Sequence, residues 1–387
     1  MPISITLFNQ QQLNNRNITT AGDLAIYTPS LSANARFGAE NTSFAIRGFV
    51  QDPGTNPSVG VYFADVPALR AYGATTAANG AGVGTLFDLQ SVQVLKGPQG
   101  TLFGRNTTGG AVLLVPNRPT DALGGYVEGS IGNYDMRRIQ GVLNVPVSDR
   151  LRIRLGVDRQ VRDGYLKNRS PVGPRDFADI DYTAVRGSVI FDVTDTLENY
   201  TTGFYSNSDT NGSLARLIAC NAAPATFPGG GAGTAQVAQA NLACNQVARQ
   251  DARGDGFYDV ENPIVDPEQH IRQFQIVNTT SWVASDSLTV RNIASYGEFR
   301  EKLRTSVYGE YLILTAGPFA NNPARPLTVV QAGNFPGLDN SSQWGLTEEL
   351  QFQGRFGTRL KWQAGGFVEL SGPNKDYGSL TPSRLVC

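Results

Sequence analysis

Two spacings of hydrophobic residues divide this chain near Ala122. Before it, apolar positions gather in short runs: Pro2–Leu7, Phe44–Phe49, Gly60–Pro67, Val92–Leu95 and Ala111–Val115. The last has no polar alternation, which predicts a strand buried on both faces. Two weaker helical stretches, Gln10–Asn15 and Ala21–Thr28, lie among these runs. After Ala122, polar and apolar residues alternate over runs of about ten residues. Leu151, Ile153, Leu155 and Val157 share one face, and Arg152, Arg154 and Asp158 the other. Val185, Val189, Phe191 and Val193 oppose Arg186, Ser188 and Asp192 in the same way; Leu360, Trp362, Ala364, Val368 and Leu370 oppose Lys361, Gln363 and Glu369. Tight turns at Ser148–Arg150, Thr194–Thr196, Ser285–Ser287 and Gly357-Thr358 alternate with long connections over Arg169–Asp181, Asp209–Glu268 and Ser306–Ser342.

Alternating runs with short turns on one side and long loops on the other predict antiparallel transmembrane β-barrel strands. A soluble antiparallel sheet with one wet face also alternates; the loop asymmetry favours the barrel. The predicted fold is mixed: a small α/β domain over residues 1–121, then an incomplete barrel of about nine strands over 122–387. Bacterial single-chain barrels are even-numbered, and an open sheet leaves unpaired backbone groups facing lipid. The expectation is therefore a piece of a longer barrel protein. Composition adds that the net charge is −1 with a single histidine, which gives no basic footprint for nucleic acid. The 43 glycines and 17% charged residues suit a turn-rich β protein. No apolar run reaches the ~20 residues of a membrane-spanning helix, and Met1–Thr6 reads as neither signal peptide nor cleavage site.

The most informative stretch is Leu86–Thr120. A strand through Val92, Val94 and Leu95 stops at a Gly97-Pro98 turn; the short apolar segment Thr101-Leu102-Phe103 follows, and a second turn, Gly104–Gly110, leads into Ala111–Val115. The turns use residues that tolerate positive φ: Gly97, Gly100, Gly104, Asn106, Gly109 and Gly110. The run Lys96-Gly97-Pro98-Gln99-Gly100-Thr101-Leu102-Phe103-Gly104-Arg105-Asn106, with Gly109-Gly110 and Arg118-Pro119, closely resembles the plug core of TonB-dependent outer-membrane receptors. Phe44–Phe49 and Gly60–Pro67 fit the same resemblance, and Pro2–Leu7 looks like the first plug strand. Ser91 and Gln93 depart from it, standing where the family usually carries a basic and an acidic residue.

The resemblance implies a monomeric barrel in the bacterial outer membrane that imports a scarce, bulky nutrient, most often a ferric siderophore. Its partners would be outer-membrane lipid and the TonB-ExbB-ExbD energy-coupling complex, with no cofactor and no catalysis. A binding or signalling receptor without transport, or a cargo such as cobalamin or a glycan, stays open. The resemblance also implies a plug–barrel latch of plug arginines Arg47 and Arg105 with a barrel glutamate, Glu349, which alternation turns toward the lumen. The alternative for Arg47 is that it caps a turn. Two outward apices are expected, Val50–Ser58 and Ala68–Gly84, where Gln51, Asp52, Arg70 and Tyr72 could hydrogen-bond or stack on substrate.

Other constellations are weaker. Cys220 and Cys244 lie in the longest, Gly/Ala-rich loop and suggest a disulfide, the alternative being two free thiols, with Cys387 left over. Asp251, Asp255, Gly256 and Asp259 lack the spacing of a calcium loop and are expected to be solvated acids. The single His270 excludes a Ser/His/Asp or Cys/His set, and no metal-ligating group is expected.

Overall fold

The structure is a computed structural model that describes residues 4–35, 38–51, 55–70, 82–221, 235–314, 321–323, 326–327, 331–334, 338–357, 359–374 and 379–380. The N-terminal part is built on a five-stranded sheet. Its elements are β1 (Ser4–Phe8), α1 (Gln10–Asn15), α2 (Ala21–Ile26), β2 (Leu31–Asn34), β3 (Ser43–Ile46), β4 (Val59–Phe63), β5 (Val66–Pro67), β6 (Leu89–Lys96), α3 (Gly100–Phe103) and β7 (Gly110–Pro116). The sheet runs β1-β6-β7-β4-β5, with β4 parallel to β7 and the other pairs antiparallel; β2 and β3 form a separate ribbon. Both helices start at capping boxes, Asn9 with Gln12 and Thr20 with Asp23, which satisfy backbone donors at each helix start. The second helix stops at Ile26, short of the expected Thr28. Pro29 disfavours helical backbone at Thr28, and the Thr28 hydroxyl bonds back to the Leu24 carbonyl at 2.8 Å. Phe8, Leu13, Leu24, Val92, Val94, Val112 and Leu114 close the core between sheet and helices. As expected, the apolar strand β7 is buried on both faces.

Nine long strands form one antiparallel wall: β8 (Gly124–Gly132), β9 (Met136–Ser148), β10 (Leu151–Arg162), β13 (Ile180–Thr194), β14 (Leu197–Thr210), β16 (Glu268–Ser285), β17 (Leu288–Ser306), β19 (Ser341–Phe356) and β20 (Leu360–Pro373). Each pairs with its predecessor along this path, and the wall is open, with β8 and β20 at its edges. Off this path, β18 (Gln331–Asn334) pairs with the end of β17 and with β21 (Ser379–Leu380), while β11 (Leu166–Asn168), β12 (Asp176–Phe177) and β15 (Asp259–Val260) form a small separate sheet in the long loops. Alternation reads out as expected. Leu155, Val157, Val185 and Val189 are exposed on the outer face, while Arg154, Arg186 and Asp158 point inward toward the plug.

The long loops hold two departures from the sequence reading. Ala235–Arg253 is a helix, α4, where a Gly/Ala-rich loop was expected; its Ala, Gln and Arg residues are strong helix formers. Cys244 within it is bonded to Cys220. The acids expected to be solvated are largely paired: Asp255 with Arg253, and Asp259 with Arg169 at 2.7 Å. Glu261, buried, receives Arg249 at 2.9 Å and Arg253 at 3.0 Å, which ties α4 down, and Gln246 of that helix bonds the Gly309 carbonyl and the Tyr311 amide. Cys387 lies outside the described residues.

Candidate functional site: the seam between plug and wall

The glycine-rich motif makes one compact corner. Gly97 takes φ +106° and its amide donates to Gly109, while the Gln99 amide donates to Thr107, so the two turns zip together. Gly110 is obligatory for a second reason: a Cβ there would lie 2.3 Å from the Leu95 carbonyl across the β6–β7 pair. Between the turns, the short apolar segment is one helical turn, α3 (Gly100–Phe103). Four residues flanked by Gly97-Pro98 and Gly104 close a single turn more readily than they find a strand partner. Tyr62 fixes it by donating to the Phe103 carbonyl at 2.7 Å, its ring 5.0 Å from that of Phe103. Burial, with Glu369 nearby, pushes the Tyr62 phenol up to about 12, so it stays a donor at any physiological pH. Where Ser91 and Gln93 replace a basic and an acidic residue, the two neutral side chains hydrogen-bond to each other at 3.2 Å.

This corner projects Arg105 across to the wall. Its guanidinium pairs with Glu369 of β20 at 2.6 Å, not with Glu349 as the sequence suggested. The register explains the difference: Glu369 stands opposite Thr347, whereas Glu349 stands opposite Phe367 and accepts from Gln351 at 2.6 Å. Glu349 does face inward. Arg47 sits exposed in a left-handed turn at φ +52°, its amide bonded to the Ser30 carbonyl, and its side chain pairs with no carboxylate among the described residues.

The firmest plug–wall anchors are ones the motif did not indicate. Asp88, in the turn before β6, is gripped by both arms of Arg154 on β10, with Nε to Oδ2 at 2.8 Å, and also accepts from Asn117 at 2.9 Å. Arg186 of β13, fully inside, donates to the carbonyls of Thr85, Phe87 and Asp88 and lies over the rings of Phe63 and Phe87. Alternation turned both arginines inward; nothing in the sequence marked a plug turn as their partner. Other polar contacts along the seam include Arg291 to Asp65 at 3.0 Å, Gln275 to the Pro67 carbonyl at 3.0 Å, Ser206 to the Val83 carbonyl at 3.0 Å and Ser208 to Glu40 at 3.0 Å. Apolar packing also joins the two where Phe63 meets Phe204, with ring centroids 4.8 Å apart, and where Val83 and Phe87 meet Ile180, Tyr182 and Ala184.

Between the motif corner and strands β16, β17, β19 and β20 lies a cleft of about 910 Å³. Asp65, Arg70, Arg105, Arg291, Glu349 and Glu369 line it, a polar surface with charges of both signs. Gln275, Gln343 and Thr347 each present a buried side-chain oxygen there without a protein partner. Of the residues expected to touch substrate, Arg70 reaches this cleft and donates to Asn56 at 2.9 Å, and Gln51 is buried and bonds the Thr55 carbonyl. Asp52 and Tyr72 lie outside the described residues.

Comparison with known proteins agrees with this architecture. Residues 1–111 match the family described as TonB-dependent Receptor Plug Domain. The chain is 31% identical over 169 residues to the pesticin receptor of Yersinia pestis, covering 43% of this chain and 24% of that one. It is 29% identical over 154 residues to the ferrioxamine B receptor of Salmonella typhimurium, covering 39% and 21%. Among solved structures, the ferric yersiniabactin uptake receptor from Yersinia pestis superposes with a TM-score of 0.67 at 18% identity, over 95% of this chain and 48% of that one. The ferripyoverdine receptor of Pseudomonas aeruginosa gives 0.65 at 13%, over 96% and 42%. The chain thus spans about a quarter of the curated relatives' length and about half of the solved receptors'.

Proposed function

We propose that this chain, whose residues 1–111 match the TonB-dependent receptor plug family and whose wall follows the fold of such receptors' barrels, serves active import of a ferric siderophore. The carrying observation is the make-up of the seam. The plug meets the wall through ion pairs and hydrogen bonds, Asp88–Arg154, Arg105–Glu369, Asp65–Arg291 and the carbonyls held by Arg186, and through apolar patches where Phe63, Val83 and Phe87 meet Phe204, Ile180, Tyr182 and Ala184. The polar contacts exchange for water at small net cost, about 0.5–1.5 kcal/mol each, so around the cleft, where Arg105, Glu369, Asp65 and Arg291 gather, the plug can part from the wall most readily. The apolar patches resist separation elsewhere, because parting them exposes apolar surface.

Energy would enter through TonB, with its ExbB and ExbD partners, by a pull transmitted to β1. That strand is the edge of the plug sheet, with Ile5 and Leu7 exposed and only β6 as its neighbour. Pulling from its N-terminal end peels the pairs Ser4–Lys96 through Phe8–Val92 one at a time, which needs far less force than shearing them together. The 910 Å³ cleft beside the motif corner is where a path would widen. The chain's relatives are receptors and transporters, and the reading needs no catalytic step.

The role of the apex residues Gln51, Asp52, Arg70 and Tyr72 in holding the chelate belongs to the same proposal. Arg70 supports it by offering a planar, always-charged fork to an anionic chelate at the cleft. The experiment is uptake of radio-iron siderophores by cells carrying the intact receptor, energised and de-energised. Import is predicted to need both the receptor and the energised state. Surface binding with no uptake in energised cells would instead mark a receptor that senses without transporting.

A further inference from the structure

Just beyond β5 the plug sets an apolar peg into the wall. Leu69 reaches between β17 and β19, where the register puts two glycines, Gly297 and Gly345, directly opposite each other. A Cβ on Gly297 would lie 2.8 Å from one Leu69 methyl, and a Cβ on Gly345 2.6 Å from the other. The paired glycines thus form a notch the size of a leucine end, with Ile271 and Phe299 packed beside it. Gln275 holds the Pro67 carbonyl at 3.0 Å, which anchors the chain two residues ahead of the peg.

The rim of the notch does not match its occupant. Gln275 stands opposite Gly297 on β16, and Gln343 and Thr347 flank Gly345 on the inward face of β19. Each carries a buried side-chain oxygen with no partner among the described residues. As whole residues Gln275 is 3% exposed and Thr347 8%. The Gln275 amide nitrogen is committed to Pro67 and Ser295, which leaves its oxygen to accept. Glu349, two positions beyond Thr347, and Glu369, opposite Thr347, extend the same acceptor-rich band along the cleft. A leucine offers none of these atoms a donor. Buried acceptors left unpaired are costly, and most in native proteins find a partner. Three around one notch mark a place suited to a different occupant.

We propose that this notch is a cargo-binding socket on the wall, stoppered by Leu69 while the plug is seated. The inference rests on the import reading. As the plug parts from the wall, Leu69 leaves, and the rim of Gln275, Gln343 and Thr347 takes hydrogen-bond donors of the passing chelate. The cargo class this favours carries hydroxyl, amide N–H or ammonium groups; a chelate whose surface offers only carboxylates and other acceptors is passed over. A site built to pair with a donor rejects an analogue lacking it, because its own acceptors then stay unpaired.

The test reads the socket without cargo, in the intact receptor in outer-membrane vesicles, with the parent protein as background. Ser295→Cys, beside the notch, reports opening by its rate of reaction with a water-soluble maleimide. Ser206→Cys, against the Val83 carbonyl at the other end of the same apex, reports release of the whole plug. Leu69→Ala is predicted to speed the reaction of Ser295→Cys roughly tenfold, with Ser206→Cys still slow. Leu69→Gln, whose amide can donate to the rim, is predicted to keep Ser295→Cys as slow as leucine does. With the socket opened by Leu69→Ala, excess Tris, which carries an ammonium and hydroxyls, is predicted to slow the reaction again, and citrate at equal pH and ionic strength is not. Adding Gln275→Leu and Thr347→Val should abolish the Tris effect. No acceleration from Leu69→Ala, acceleration at both reporters together, a glutamine that opens the notch as alanine does, or equal protection by Tris and citrate would each overturn the proposal. Uptake is not read, so a receptor that fails to import and a socket that fails to bind give separate results.

Discussion

Asp88 and Arg154 hold the plug more firmly than the motif arginine does, because of where each pair sits. Arg105 is 71% exposed, and an ion pair that wet contributes at most about 1 kcal/mol. Asp88 is 2% exposed and Arg154 15%, with both arms of the guanidinium engaged. Removing one member of such a pair strands the other charge and costs about 3–5 kcal/mol. Asp88→Asn is therefore predicted to lower the urea midpoint for plug release markedly, whereas Arg105→Ala moves it by an amount near the error of the measurement. Equal shifts for the two variants would mean that the seam does not discriminate buried from exposed pairs. The sequence pointed to Arg105 because the residue stands inside a recognisable motif. It was silent on Asp88, since a lone acid before a strand has no pattern until the wall is placed around it.

At the scale of elements, period-two alternation carried most of the legibility. It set the inward and outward faces of Leu151–Asp158, Val185–Val193 and Leu360–Leu370, since each outward choice must be apolar. Partner identity was not legible in the same way: Arg105 meets Glu369 because of the β19–β20 register, which no single strand reveals. The outer helix α4 was hidden by glycine-rich neighbours, and its tether to Glu261 depends on a residue eight positions beyond Arg253. Where the loop ahead of β13 meets the plug, a pH dependence follows. Burial, with Glu40 and Asp176 nearby, pushes the Asp179 carboxyl from 3.8 up to about 7. Burial likewise raises Glu40, against the Ser208 hydroxyl and the charge of Arg162, which both lower it. Carboxyls raised on folding favour the docked state fully below their ordinary values, and that stability is lost as pH rises through about 7. The Ala178 amide, bonded to the Gly212 carbonyl, is predicted to be better protected from hydrogen exchange at about pH 5 than at about pH 8.5 after correction for intrinsic rates. Asp179→Asn should flatten most of the difference; a wild-type protection factor that does not change with pH would contradict the reading.

The whole molecule is an apolar-cored plug resting in a wall that is apolar outside and mixed inside, with the two joined by ion pairs and hydrogen bonds as well as by apolar patches. The plug motif and the alternating runs together foretold a plug followed by barrel strands. The cleft beside the motif corner needed the strands in register before it could be seen. The central claim is that the plug must part from the wall at Arg105 and Glu369 for cargo to pass. Placing cysteines at both positions in the intact receptor and joining them with a short, cleavable bismaleimide tests it directly. The account predicts that joined receptors still bind ferric siderophore at the surface but import none, and that cleaving the linker restores uptake. Uptake by the joined receptor at the rate of the unjoined one would contradict it.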